Sequence, residues 1–379
     1  MSLMGTYPPQ AVTFVKGSGS ELWDDQGRRY LDFLGGLAVT SLGHAHPEVA
    51  RALSEQAATL LHVSNLFGSL PQRELAATLD RLIDSGPGQV FLANSGAEAN
   101  EAAIKLARRW GGRGRHVVVS AYGSFHGRTL ATLHATGQPS KHEAFQPLPE
   151  GFRHVAWKDA DDLRRAVDPT VAAVLIEVVQ GEGGVNLAGA EYIQEVRRIC
   201  DETGALLMFD EVQTGLGRTG RWFAFQRYGV RADVVTVAKS LGNGVPIGAC
   251  WARDEVADAF KPGDHGSTFG GQPLAVSAAL ATLRVMEQID APAQAEAKGA
   301  YLRKRLSELA AVREVRGLGL LLAAELAEGI PSQPVAAAAL EAGLVVNAVT
   351  PTALRFAPSL LVTNDEIDEA VAILAGVLQ

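Results

Sequence analysis

From about Gln89 onward the chain alternates short, almost wholly apolar runs with longer stretches whose apolar residues recur at helical spacing. Gln89 to Ala93, His116 to Ala121, Val171 to Val179, Ala205 to Phe209 and Asp233 to Val237 read as strands buried on both faces. Between several of them, segments such as Ala97 to Trp110 and Ala190 to Thr203 carry the pattern of a helix with one buried side. Strands alternating with helices predict an α/β domain around a mainly parallel sheet, because parallel neighbours need a crossover long enough to hold a helix. After about Met286 the pattern changes to Ala-rich helices with shorter strand candidates at Gly319 to Leu326 and Leu344 to Asn347. That change predicts a large domain over residues 51–285 and a smaller α+β domain over 286–379, joined by the N-terminal segment 1–50.

Glycine sharpens this outline. Ser95-Gly96-Ala97, Gly181-Glu182-Gly183-Gly184, Gly242-Asn243-Gly244 and Gly270-Gly271 all fall where strands should end. In open α/β sheets the ligand crevice lies outside the carboxyl ends of the strands.

Composition mostly excludes. With 47% hydrophobic and 20% charged residues over 379 positions, the chain is an ordinary globular protein rather than a disordered or fibrous one. A net charge of -8, from 34 Lys+Arg against 42 Asp+Glu, leaves no global basic field for nucleic acid or an anionic membrane. The longest apolar runs, such as Leu318 to Ala324 and Ala172 to Ile176, stop short of the roughly 20 residues a membrane span needs. With no signal-peptide pattern at the start, the expected location is the cytoplasm. Met1 to Leu3 have the look of an expression remnant. Cys200 and Cys250 form no CxxC, so they exclude a disulfide scaffold or zinc-ligand spacing and read as buried, reduced thiols.

Two charged residues stand at the ends of apolar runs. Lys239 closes Asp233-Val234-Val235-Thr236-Val237-Ala238, and Asp210 closes Ala205-Leu206-Leu207-Met208-Phe209. Neighbouring parallel strands would present this amine and this carboxylate on one rim, the pairing that pyridoxal phosphate requires for its Schiff base and its pyridinium nitrogen. Asn94-Ser95-Gly96-Ala97-Glu98 joins a strand to a helix, so free N–H groups and the positive end of the helix dipole converge above Gly96, as a phosphate needs. Ser95 with Glu98 also has the form of a capping box.

These residues belong to a longer ordered set. Asn94-Ser95-Gly96-Ala97-Glu98-Ala99-Asn100-Glu101, Ser124-Phe125-His126-Gly127-Arg128-Thr129, Phe209-Asp210-Glu211-Val212-Gln213-Thr214-Gly215, Lys239 and His265-Gly266-Ser267-Thr268-Phe269-Gly270-Gly271 follow one another as in the class III (ω-) aminotransferases. The chain resembles that family from Tyr30-Leu31-Asp32-Phe33 to Leu354-Arg355-Phe356-Ala357-Pro358, and within it the acetylornithine branch most of all. The resemblance implies a pyridoxal-phosphate-dependent transferase of fold type I, with a large, mainly parallel sheet of the seven-stranded type and a smaller α+β domain. It implies pyridoxal 5'-phosphate held by Lys239, which would then serve as base and acid, with Asp210 on the ring nitrogen. Phe125 would stack on the ring, Gln213 would contact the ring's 3-oxygen, and Ser95, Gly96 and Ala97 would hold the phosphate. Thr268 would reach the phosphate of a partner's cofactor, which makes a homodimer the implied unit.

The same resemblance assigns Arg128 to a substrate carboxylate and Arg355 to the second carboxylate of 2-oxoglutarate, with Glu182 as the group that covers Arg355 while the amine donor is bound. Leu37 stands where ornithine enzymes of the family carry a tyrosine, which favours a donor whose α-nitrogen is acylated, as in N-acetylornithine. Gln272 replaces the Asn usual after Gly-Gly, with no expected effect on chemistry. Succinyldiaminopimelate, a carrier-linked lysine, 4-aminobutyrate and ornithine are the alternative donors, and a non-catalytic binding or regulatory protein is the alternative of another kind. A nicotinamide enzyme would need a G-x-G-x-x-G turn after its first strand and an acidic residue about 20 positions on, which are not present in that arrangement, and a P-loop ATPase would need a G-x-x-x-x-G-K-[ST] run, which Gly181-Glu182-Gly183-Gly184 lacks. His44 and His46 lack a third ligand, so no metal is expected. Arg108-Arg109 and Arg164-Arg165 read as solvated helix faces.

Overall fold

Seven strands make the central sheet of this computed structural model, which describes residues 3–379; Met1 and Ser2, two of the three residues read above as a remnant, lie outside the described residues. They are β1 (Gly88–Ala93), β2 (Val117–Ala121), β3 (Phe152–Val155), β4 (Val171–Ile176), β5 (Leu206–Asp210), β6 (Val234–Val237) and β7 (Gly248–Arg253). Their spatial order is β1-β7-β6-β5-β4-β2-β3. Only β7 breaks the parallel arrangement, pairing antiparallel with both β6 and β1. The two predicted helices are present and pack on the sheet, α1 (Gly96–Gly111), which opens at the site, and α2 (Ala190–Thr203). Ala102, Ala103, Ile104, Leu106 and Ala107 of α1 are buried. Each large apolar side chain so buried is worth about 1.5–3 kcal/mol.

The five predicted strands fall on β1, β2, β4, β5 and β6, with one difference. The run Val171 to Val179 is broken: β4 ends at Ile176, and Val179–Gln180 turns away to pair with Asn186–Leu187 as a separate ribbon. Glu177 sits in the break, where its carboxylate accepts the Phe125 N–H at 3.2 Å. A carboxylate at the end of a buried strand needs such a donor, and the strand stops where the donor is found. Two strands escape the sequence pattern. β3 lies at the sheet edge and carries Arg153 and His154, while β7 has no β-branched residue and follows a turn rich in glycine.

The carboxyl-terminal part holds an antiparallel sheet of Val312–Leu318, Leu321–Leu326, Ala353–Phe356 and Asn347–Thr350, in that spatial order. Gly319 and Leu320 form a turn before Leu321, with Gly319 at φ +51°, so the strand starts two residues later than its apolar pattern. At the other end of the chain, Phe14–Ser18, Glu21–Asp24 and Arg29–Asp32 form an antiparallel sheet that Leu344–Val345 extends in parallel. No helix among the described residues is long and apolar enough to cross a membrane.

Candidate active site

The parallel pairing of β5 with β6 sets Asp210 opposite Thr236. Asp210 therefore closes its strand at the level where β6 is about to end, and Lys239 follows two residues after Val237. Lys239 opens a short 3-10 turn with φ +40°, a left-handed conformation that non-glycine residues adopt at a cost. Both side chains line a cavity of about 380 Å³, together with Phe125, Gln213, Gly96 and Ala97. Burial lowers the Lys239 amine below the ordinary lysine range, while the nearby Glu182, Asp210 and Glu177 carboxyls pull the other way. A lysine so placed exposes more of its neutral, nucleophilic form.

Asp210 is held by three donors. Its Oδ2 accepts from Asn100 Nδ2 and from His126 Nδ1, each at 2.8 Å, and its Oδ1 accepts the Val212 N–H at 3.0 Å. A carboxylate has about four lone-pair sites, so one remains for a donor in the cavity. Asn100 is fixed in turn, taking the Thr236 hydroxyl on Oδ1 at 2.7 Å and giving Nδ2 to the His126 carbonyl at 2.7 Å. Asn100 and His126 both line the cavity, and neither receives a role from the sequence pattern. Glu177 is a third such residue: burial, with Asp210 adding, pushes its carboxyl well above the usual range, while the Phe125 N–H pulls it the other way. Its place after an apolar run is the signal that drew attention to Asp210.

At the start of α1, Ser95 Oγ accepts the Glu98 N–H at 3.2 Å. The reciprocal half of a capping box is not made. The Glu98 carboxylate accepts from Asn94 instead, at 2.9 Å from its N–H and 2.8 Å from its side-chain amide, because that amide supplies a second donor one residue earlier. The first-turn N–H groups of Gly96 and Ala97 have no intrahelical acceptor and face the cavity. A Cβ at Gly96 would stand 2.9 Å from Val212 Cγ1, so the close approach of helix to loop admits no side chain. An N–H cradle, an amine, a carboxylate with an unused lone pair and the Phe125 ring thus bound one space. That donor set fits a phosphorylated pyridine aldehyde.

The charged groups at the mouth are arranged unequally. Arg355, in Ala353–Phe356, is buried, and its Nη1 donates to Glu182 Oε1 at 2.6 Å, to the Gly181 carbonyl at 3.3 Å and to Gln213 Oε1 at 3.4 Å. Its Nε has no partner. Burial raises the Glu182 carboxyl, but the Arg355 guanidinium outweighs it and holds the group below the usual range. Arg128 lines the cavity in an exposed position, its Cζ 5.5 Å from the centroid of the Phe125 ring. Leu37 and Thr268 lie outside the lining. Leu37 is exposed, although Val39 two residues on lines the cavity, and Thr268 is exposed beside Phe269. No cluster of three or more metal-ligating side chains occurs among the described residues.

Comparison with known proteins follows the same lines. The family model described as aminotransferase class-III matches residues 5–378. An acetylornithine aminotransferase of Caldanaerobacter subterraneus subsp. tengcongensis is 48% identical over 385 residues, covering 99% of this chain and 97% of the relative. Among solved structures, the ornithine aminotransferase of Toxoplasma gondii, described with partial occupancy of PLP at its active site, superposes with a TM-score of 0.94 at 34% identity, covering 100% of this chain and 92% of the other. The N-acetylornithine aminotransferase of Stenotrophomonas maltophilia K279a does so with a TM-score of 0.85 at 37% identity, covering 97% and 96%. With the family's pattern matched along nearly its whole length, the chain belongs to the class-III aminotransferases.

Proposed function

We propose that this chain moves the δ-amino group of N2-acetylornithine to 2-oxoglutarate, giving N-acetylglutamate 5-semialdehyde and glutamate in two successive half-reactions, a step of arginine biosynthesis. As a class-III aminotransferase it works with pyridoxal 5'-phosphate, which when bound supplies an electron sink for the carbon that loses a proton. Lys239 holds the cofactor and, once released, carries the proton between the two carbon positions through its Nζ. Asp210 keeps the ring nitrogen protonated, and Asn100 and His126 hold the Asp210 carboxyl in place with a hydrogen bond each. Phe125 packs on the ring, Gln213 meets the 3-oxygen, and Ser95, Gly96 and Ala97 bind the phosphate.

The observation that carries this reading is the Glu182–Arg355 pair at 2.6 Å on the rim of the Lys239 cavity. The donor brings one carboxylate, for Arg128, and the acceptor brings two. An unpaired guanidinium buried like Arg355 would cost about 3–5 kcal/mol, so Glu182 satisfies it in the first half-reaction and yields to 2-oxoglutarate in the second. Bidentate geometry makes lysine a poor substitute at either arginine. Leu37 in place of tyrosine favours the acylated donor over free ornithine.

The same reading makes the working unit a homodimer in the cytoplasm, with Thr268 reaching the partner's cofactor phosphate. Buried, unpaired thiols at Cys200 and Cys250 suit a reducing compartment. It also takes residues 51–285 as the large domain, supplying Lys239 and Asp210, and residues 286–379 with 1–50 as the small one, supplying Arg355 and Val39.

The test is a panel of N-acetylornithine, succinyldiaminopimelate, carrier-linked lysine, 4-aminobutyrate and ornithine with 2-oxoglutarate, compared by kcat/KM. N-acetylornithine should lead, and Lys239→Ala should abolish turnover. A clear preference for another donor would overturn the substrate assignment, and a chain that shows no visible band with added pyridoxal phosphate would overturn the whole reading.

A further inference from the structure

Arg218 is fully buried and has no carboxylate partner among the described residues. All its acceptors are neutral: Nη1 donates to the carbonyls of Leu320, at 3.3 Å, and of Pro358, and Nη2 donates to Ser41 Oγ at 2.8 Å. Burial lowers the guanidinium to about 10, which still leaves it charged at neutral pH. A cation kept out of water without a counter-ion needs a structural reason, and its three acceptors come from three distant stretches of chain.

The contact does not end at Ser41. Ser41 Oγ and Ser240 Oγ are 2.6 Å apart, and Ser240 Oγ donates to the Ala38 carbonyl at 3.1 Å. A hydroxyl has one proton to give. Every proton and every acceptor in the row is satisfied when Ser240 gives its proton to Ala38 and Ser41 gives its own to Ser240 while accepting from Arg218. The row therefore has one direction, from the guanidinium through two hydroxyls to a carbonyl, and a charged donor at its head strengthens each link.

Each end of the row adjoins the site. Ser240 follows Lys239 and belongs to the same 3-10 turn. Ala38 precedes Val39, which lines the cavity. Pro358 lies three residues beyond Arg355, and the next residue, Ser359, donates to the Ser41 carbonyl at 3.2 Å. We propose that Arg218 is a positioning residue, whose buried guanidinium pins the Lys239–Ser240 turn, the Ala38–Ser41 wall and the segment after Arg355 into one unit and so fixes the lysine against the cofactor and the substrate wall. Lysine cannot replace it, because its three N–H bonds radiate from one nitrogen, whereas the guanidinium reaches the Leu320 and Pro358 carbonyls from Nη1 and Ser41 from Nη2.

The inference rests on the assignment of Lys239 as the cofactor lysine, and the experiment separates the two. Purified Ser240→Ala, Ser41→Ala and Arg218→Lys are compared with the parent in three readouts: the pH midpoint of the visible band of bound cofactor, the affinity of the cofactor-free chain for pyridoxal phosphate by fluorescence, and kcat against KM. Ser240 lies outside the cavity lining, so Ser240→Ala tests the row even where Arg218→Lys fails to fold. Ser240→Ala should shift the midpoint by about half a unit or more, a threefold change in the proton equilibrium, and lower kcat about tenfold with a smaller change in KM. Where both fold, the double variant Ser240→Ala with Arg218→Lys should be no worse than Arg218→Lys alone, since both cut one row. A lower melting temperature with midpoint, affinity and kcat within twofold of the parent would make Arg218 a structural pin only and overturn the inference. A parent chain without a visible band, or a band that survives Lys239→Ala, would instead overturn the assignment on which it stands.

Discussion

Glu211 follows Asp210 directly and turns the other way, out of the cavity and into the core. It is fully buried and accepts the Phe225 N–H at 2.9 Å and the Thr214 hydroxyl. Burial raises its carboxyl to about 7, although these donors offset part of the shift. A carboxyl raised on folding binds more protons in the native chain than in the unfolded one, so the stability it contributes is present below about 4.5 and lost as pH rises through about 7. The full swing is about 3 kcal/mol. Melting of the cofactor-free chain between pH 5 and 8 should therefore show the parent losing ground to Glu211→Gln as pH rises. A gap independent of pH would mean that Glu211 titrates as an ordinary surface acid. At this scale the sequence is legible only where a charge interrupts a pattern. Lys239 and Asp210 stand out because each ends an apolar run. Asn100 sits on a helix and His126 and Arg218 in loops, where a polar side chain is expected in any case, and only the fold shows that all three are buried.

Among the elements, the short turn before Val39 is the most unusual. Gly35, Gly36, Leu37 and Ala38 have φ of 57°, 60°, 69° and 62°, four left-handed residues in succession. Glycine takes this conformation freely, whereas Leu37 and Ala38 each pay about 1–2 kcal/mol. Asp32 holds the turn, its Oδ1 accepting the N–H groups of Leu34 at 3.0 Å and of Gly35 at 2.8 Å, and Ser240 holds the Ala38 carbonyl. Opposite signs should follow from two substitutions. Leu37→Gly should stabilise by up to about 1 kcal/mol by relieving strain, less the added chain entropy. Gly35→Ala should destabilise by about 2 kcal/mol or more, since its Cβ meets positive φ and stands 2.9 Å from the Ala357 carbonyl. Thermal unfolding of the two variants decides the matter, and the same sign for both would show that the turn is not strained in this way. The sequence does not reveal this turn, because handedness leaves no trace in hydropathy. β7 was missed for another reason: Gly248-Ala249-Cys250-Trp251-Ala252-Arg253 contains no β-branched residue to mark it as a strand.

For the whole molecule, net charge proved a poor guide, since an acidic chain is assigned two substrates that each carry a carboxylate, for which a few local arginines are the proposed partners. Exposed apolar surface is more informative. Asn65 Nδ2 donates to the carbonyls of Ser267 and Gly270, which joins the stretch around residues 62–70 to the loop that carries Thr268. On that joined face Leu66 is 88% exposed, Leu70 79%, Phe67 69% and Phe269 61%. Single exposed apolar residues are common, but four large ones around one loop have the composition of an interface. If a second copy covers it, Thr268 lies at the seam and no lone chain can complete its own phosphate site. Phe269→Asp with Leu66→Asp should then turn a dimer into a monomer in sedimentation, and the monomer should bind pyridoxal phosphate about tenfold more weakly or worse, the loss of one or more hydrogen bonds to a charged group. Thr268→Ala should weaken cofactor binding while the dimer stays intact, which separates the loss of the contact from the loss of the partner. A parent chain that sediments as a monomer at micromolar concentration and binds the cofactor as tightly as Thr268→Ala does would remove the partner from the site altogether.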